Sequence, residues 1–98
     1  METLVEFILH VTCTEGEIVY TECTLEKTNS NIPIPREGDT CKFYFGDGRT
    51  MTFTVDRIGH DYTSANFFCV VEIKLKRISI DKGSYEEYIT LFKRNGWV

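Results

Sequence analysis

Long hydrophobic runs are missing from this chain. The apolar stretch from Leu4 to Leu9 is broken by Glu6, and it is too short for a membrane span or for the core of an export signal. No basic cluster precedes it, because the chain opens Met1-Glu2-Thr3. A membrane location is therefore not expected and a cytoplasmic one is. Blocks of like charge are missing too. The net charge is −4, and fifteen acidic residues are scattered rather than massed. That balance removes a general electrostatic grip on DNA or RNA, which needs lysine and arginine against phosphate. It also falls short of the dense carboxylate array of a nucleic-acid mimic.

Closely spaced metal ligands are equally absent. Cys13, Cys23, Cys41 and Cys69 are far apart, and structural zinc sites take their ligands in close pairs. No metal and no cofactor is expected. Only two histidines are present, His10 and His60. His10 falls on the outward face of its strand, away from Cys13, and His60 falls in a loop-like stretch beside Asp61. Neither makes a thiol–base pair or a convincing acid–base dyad. Gly46-Asp47-Gly48 lacks the Gly-Lys-Ser/Thr ending of a phosphate loop and leads into a strand rather than a helix. Glu86 and Glu87 suit the positive start of a helix. The expectation is a protein that is not an enzyme.

What is present is a β pattern. With 98 residues, 42% hydrophobic and 13% aromatic, the chain has enough for one packed core and one domain, 1–98. Val5, Phe7, Leu9, Val11 and Cys13 alternate as in a half-buried strand. After Gly16 the alternation resumes at Val19, Thr21, Cys23 and Leu25. Folding about Gly16 sets Cys13 opposite Val19 and Phe7 opposite Leu25. The only prolines, Pro33 and Pro35, mark a connection that ends in a Pro-x-x-Gly-Asp turn, with Gly38 free to take positive φ. Cys41, Phe43 and Phe45, a tight turn, and Met51, Phe53 and Val55 predict a hairpin with Phe43 opposite Met51 and Cys41 opposite Phe53. Its other face is polar. Gly59 to Ala65 reads as a loop, and Asn66 to Ile78 as one long strand. All four cysteines fall on inward faces, where a thiol behaves as a small hydrophobe.

Near the end the period changes. Tyr85, Tyr88, Ile89 and Phe92 are spaced as one helical face. A Ser84/Glu87 capping box, acidic residues first and Lys93 and Arg94 last predict a helix over about 85–94. Asn95-Gly96 stops it and lets Trp97 fold back on Phe92. The whole predicts a mainly β fold: a five-stranded antiparallel barrel or roll built from hairpins, with one short C-terminal α-helix. Ile34-Pro35-Arg36-Glu37-Gly38-Asp39, the hairpin and the final strand, spanning Ile34 to Ile78, resemble small bacterial, phage and mobile-element β-proteins with no assigned activity. That resemblance implies a compact roll and carries no functional residue.

With the odd-numbered faces inward, Ile8, Ile18, Tyr20, Phe68 and Val70 point outward. The helix stripe with Trp97 is expected either to close one end of the barrel or to lie on this patch. The functional expectation is a binding module that meets an unknown protein partner, or a second copy of itself, through Ile8, Tyr20, Phe68, Val70 and Trp97. The alternative is an oligonucleotide-binding barrel using Lys42, Tyr44, Lys74 and Lys76. Lysines guarding a solvated sheet face account for that set more simply.

Overall fold

The computed structural model describes residues 2–30, 32–63 and 68–98. Strand β1 (Glu2–Glu15) is the spine, and its alternating Val5, Phe7, Leu9, Val11 and Cys13 are all buried. β2 (Ile18–Ser30) returns antiparallel through Gly16-Glu17, where Gly16 takes φ 60°, a left-handed conformation suited to a two-residue hairpin turn. β3 (Thr40–Tyr44), β4 (Thr50–Thr63), β5 (Phe68–Leu75), β6 (Ile78–Asp81) and helix α1 (Tyr85–Arg94) follow. The sheet order is β2-β1-β5-β4-β3, and β6 pairs with β1 beyond the end of β5. β5 and β6 both run parallel to β1.

The result is a mainly β fold with one helix, as expected. Of the expected five-stranded antiparallel barrel or roll, the strand count and the purely antiparallel pairing are corrected, and the sheet is not a closed barrel. Six strands form a mixed, open sheet whose outer strands, β2 and β3, do not pair with each other. The sheet nevertheless curls. Phe7 on β1 and Phe43 on β3 meet edge to face with ring centroids 5.0 Å apart, although two strands lie between them. Aromatic side chains and the helix fill the opening that strand pairing would close. Trp97 packs on Phe43 at 5.3 Å and on Phe92 at 5.6 Å, and Phe92 packs on Phe45 at 5.7 Å. Asn95 ties the seam: its side-chain oxygen accepts from the Gly46 N–H at 3.1 Å and its main-chain carbonyl accepts from Lys27 Nζ. Val98 exchanges two main-chain hydrogen bonds with Glu26 on the free edge of β2, each 2.9 Å.

The helix therefore lies on the inner face of the sheet, not on the outward patch of Ile8 and Val70. Its bounds match the sequence reading, and so does its stop. Gly96 at φ 88° lets the Trp97 N–H reach the Phe92 carbonyl (3.1 Å) and the Gly96 N–H reach the Lys93 carbonyl (3.5 Å), a Schellman ending. The capping box does not form. Ser84 sits at φ −112°, ψ −6° and makes no side-chain cap bond, because this helical backbone does not aim the hydroxyl as an extended cap residue does. Glu87 reaches Arg49 instead, at 3.4 Å.

Three irregularities correct the expected registers. In β2, Val19 pairs with Thr14 but Thr21 with Cys13, so Tyr20 is an extra residue. Cys13 therefore faces Thr21 and Leu9 faces Leu25, two positions from the sequence reading, and Val19 is exposed instead of inward. In β4, Asp56 is extra: Val55 pairs with Leu75 and Arg57 with Lys74, which moves Ile58 to the inner side. The expected loop after Gly59 is strand as far as Thr63, so His60 lies in β4. Finally, the expected long strand breaks at Lys76-Arg77, where its register with β1 advances by one and turns the even residues Ile78 and Ile80 toward the core. The β3–β4 hairpin needs no correction: Phe43 faces Met51 and Cys41 faces Phe53.

Candidate functional site

The far end of the β1–β2 hairpin carries the largest concentration of exposed apolar surface among the described residues. Ile18 is 61% exposed, Val19 53% and Tyr20 48%, three in succession. The pairing explains why. β6 flanks β1 only as far as Thr14, and among the described residues no strand lies beside the turn Gly16-Glu17 beyond it. Tyr20 is held in place: Lys82 Nζ sits 4.2 Å from its ring centroid, and its hydroxyl donates to Glu15 at 3.3 Å. A cation over an exposed ring contributes only about 0.5–1 kcal/mol, enough to bias its orientation.

The structure does not gather the expected interface. Trp97 is 1% exposed and sits at the centre of the aromatic cluster, so it is not a surface residue. Ile8 and Val70 are half-buried on the outer face of the sheet, where Ile8 lies between Glu26 and Lys74 and Val70 between Leu4 and Asp61. The Phe68 side chain lies outside the described residues. Tyr20 bulges beside Cys13 and Thr14, five to six residues along β1 from Ile8, which is roughly 15–20 Å at strand rise. Ile18 was visible in the sequence as an outward residue, but Val19 was not, because the bulge that exposes it has no signature in the alternation.

The outer face is mainly polar and acidic at its middle. Glu6 faces Glu72 directly in the β1–β5 register, and Glu26 lies one strand over. Loss of solvation, then a hydrogen bond with Glu26, then the charges of Glu26 and Glu72 hold the Glu6 carboxyl above the ordinary glutamate value. This trio abuts Lys74, one of the four residues of the oligonucleotide alternative. Lys42 and Tyr44 are exposed on β3, Tyr44 at 76%, while Lys74 is half-buried and Lys76 exposed across β4.

Cys13 and Cys69 are buried, and Cys23 and Cys41 are half-buried against the core, all as free thiols. Burial, and then the Asp39 charge, push the Cys41 thiol above its ordinary value, which lowers the fraction of nucleophilic thiolate. The Tyr85 hydroxyl is pushed up to about 12, first by its hydrogen bond with Cys23 and then by burial. His10 Nδ1 and Thr24 Oγ1 lie 2.9 Å apart on the outer face, across β1 and β2. Among the described residues no three His, Cys, Asp or Glu side chains converge as metal ligands, and no helix is long and apolar enough to cross a membrane.

An open groove of about 630 Å³ lies between the β3–β4 turn and α1, and Arg49 occupies its wall. Arg49 pairs with Asp47 and with Glu87. The Arg49 N–H, and then its guanidinium, hold the Asp47 carboxyl below its ordinary value. These charges satisfy one another and fasten the turn to the helix. No protein-family model, curated protein or solved structure matches the chain.

Proposed function

We propose that this chain is a non-catalytic interaction module that meets a protein partner through the projecting end of its β1–β2 hairpin. The observation that carries the reading is the run Ile18-Val19-Tyr20, exposed and consecutive, at a position that no other described element covers. Apolar and aromatic side chains held in place on a rigid element are what protein contacts reward. Tyr20, pinned by Lys82 and Glu15, is the expected anchor. The oligonucleotide reading has less behind it, because Glu6, Glu26 and Glu72 crowd the same face as Lys74 and repel phosphate.

The test is recovery of partners on immobilised protein from lysate of the source cells, with and without nuclease and at low and high salt, with Ile18→Asp/Tyr20→Asp run in parallel. A stoichiometric protein held by the wild type and lost by the variant supports the reading. Partners retained equally by both, or recovery that disappears with nuclease and with salt, contradict it.

A further inference from the structure

The sheet contains a gap. β5 fills the space between β1 and β4 only as far as Leu75. There the Lys76 N–H donates to the Thr54 carbonyl at 2.8 Å, and β6 continues beside β1 alone. The first residues of β4, Thr50–Thr54, pair with β3 on one side, and among the described residues no strand pairs with them on the other. A groove of about 380 Å³ opens from the Lys76–Thr54 bond, with Thr52 on one wall, Ser79 on the other, and Phe53, Ile80 and Tyr88 lining it.

The bonds already made fix where the main-chain groups point. The Val55 N–H donates to the Asp39 carbonyl and the Val55 carbonyl accepts from the Gly38 N–H. Odd residues of β4 up to that point therefore face β3, and Thr52 turns its N–H and C=O into the groove. On the opposite wall the Lys82 N–H donates to the Thr14 carbonyl. That assigns the even residues of β6 to β1 and aims the N–H and C=O of Ser79 into the groove.

We propose that this groove accepts an extended peptide segment of a partner protein, added as a strand between β4 and β6. The complementarity is one of main-chain partial charge. Donor and acceptor alternate on both walls, and an extended backbone carries the same alternation on both of its edges. The length of Thr50–Thr54 admits about four to five residues, and the Lys76–Thr54 bond stops the segment at one end. Phe53, Ile80 and Tyr88 favour an apolar side chain at the inward position. This site shares no residue with the hairpin end and stands or falls independently of it.

The test titrates isotope-labelled protein with a short, end-blocked peptide of alternating valine and threonine flanked by lysine. The expected result is saturable amide shifts at Thr52 and Ser79 with Kd below about 1 mM, and slowed hydrogen exchange at both amides. The same peptide N-methylated at alternate amides should bind about tenfold more weakly or worse. Ser79→Pro removes an N–H that the β1 ladder does not use, a position where a strand tolerates proline, and should weaken binding by a similar factor. No saturable shift, equal binding of the N-methylated peptide, shifts confined to other residues, or slow exchange of both amides in the free protein would overturn the proposal.

Discussion

Glu6 is where the outer face of the sheet works against itself. Its carboxyl shares one small area with Glu26 and Glu72 and is held above the ordinary value of 4.5. A raised folded-state value means that the folded protein binds the proton more tightly than the unfolded chain. The associated stability is complete below the ordinary value and is lost as pH rises through the raised one. Glu6→Gln should therefore raise the melting temperature at pH 7, by an amount set by about 0.5 kcal/mol for a like-charge cross-strand contact. The advantage should shrink toward zero as pH falls to the ordinary carboxylate range. Melting curves of both proteins between pH 4 and pH 7 check the sign, and a constant difference would show that charge is not the cause. Trp97 is the opposite kind of residue. It is buried against Phe43, Phe53 and Phe92, and Trp97→Ala should cost about 3–5 kcal/mol, read from denaturant unfolding.

The clearest prediction for a single element concerns the end of α1. Gly96 takes φ 88°, and a Cβ there would lie 3.0 Å from Lys27 Nζ. Gly96→Ala should destabilise by roughly 1–2 kcal/mol through the left-handed backbone alone, lowering the melting temperature by several degrees. This stop was legible in the sequence, as were the helix and the β3–β4 hairpin, because each is encoded locally by period, glycine and turn chemistry. The Tyr20, Asp56 and Lys76-Arg77 irregularities were not. They adapt strands to a curled sheet, and nothing in an alternating pattern says where an extra residue will be spent. Each one changes which residues face the core beyond it. That is why Val19 is exposed, Ile58 is inward and the expected last strand is two. The candidate site inherits the same division: Ile18 and Tyr20 could be read as outward, while their isolation from Ile8 and Val70 depends on tertiary pairing.

At the scale of the whole molecule, the long dimension of 46 Å is close to what fourteen residues of β1 span at about 3.3 Å each. The protein is about as long as its central strand. Hairpin counting alone predicts an antiparallel barrel or roll, and the sheet does not close into a barrel. The sequence carries no mark of the two parallel pairings of β1, which set the strand order and leave β2 and β3 apart. Helix α1, Trp97 and Asn95 take over the work of closure, and the aromatic residues of the C-terminal segment are thereby consumed in the core. Of the large apolar side chains left exposed among the described residues, three in succession lie at the hairpin end. Because its side chains are exposed, Ile18→Asp/Tyr20→Asp should cost only about 1–2 kcal/mol, from the lost Lys82–Tyr20 contact and the poor strand preference of aspartate, and leave the protein folded, as denaturant unfolding will show.

The most direct test of the central claim is the comparative recovery of a protein partner from nuclease-treated lysate on the wild type and on this folded double variant. A stoichiometric protein retained by the first and absent from the second is the expected result. The same proteins retained equally by both would show that the hairpin end is not the contact surface.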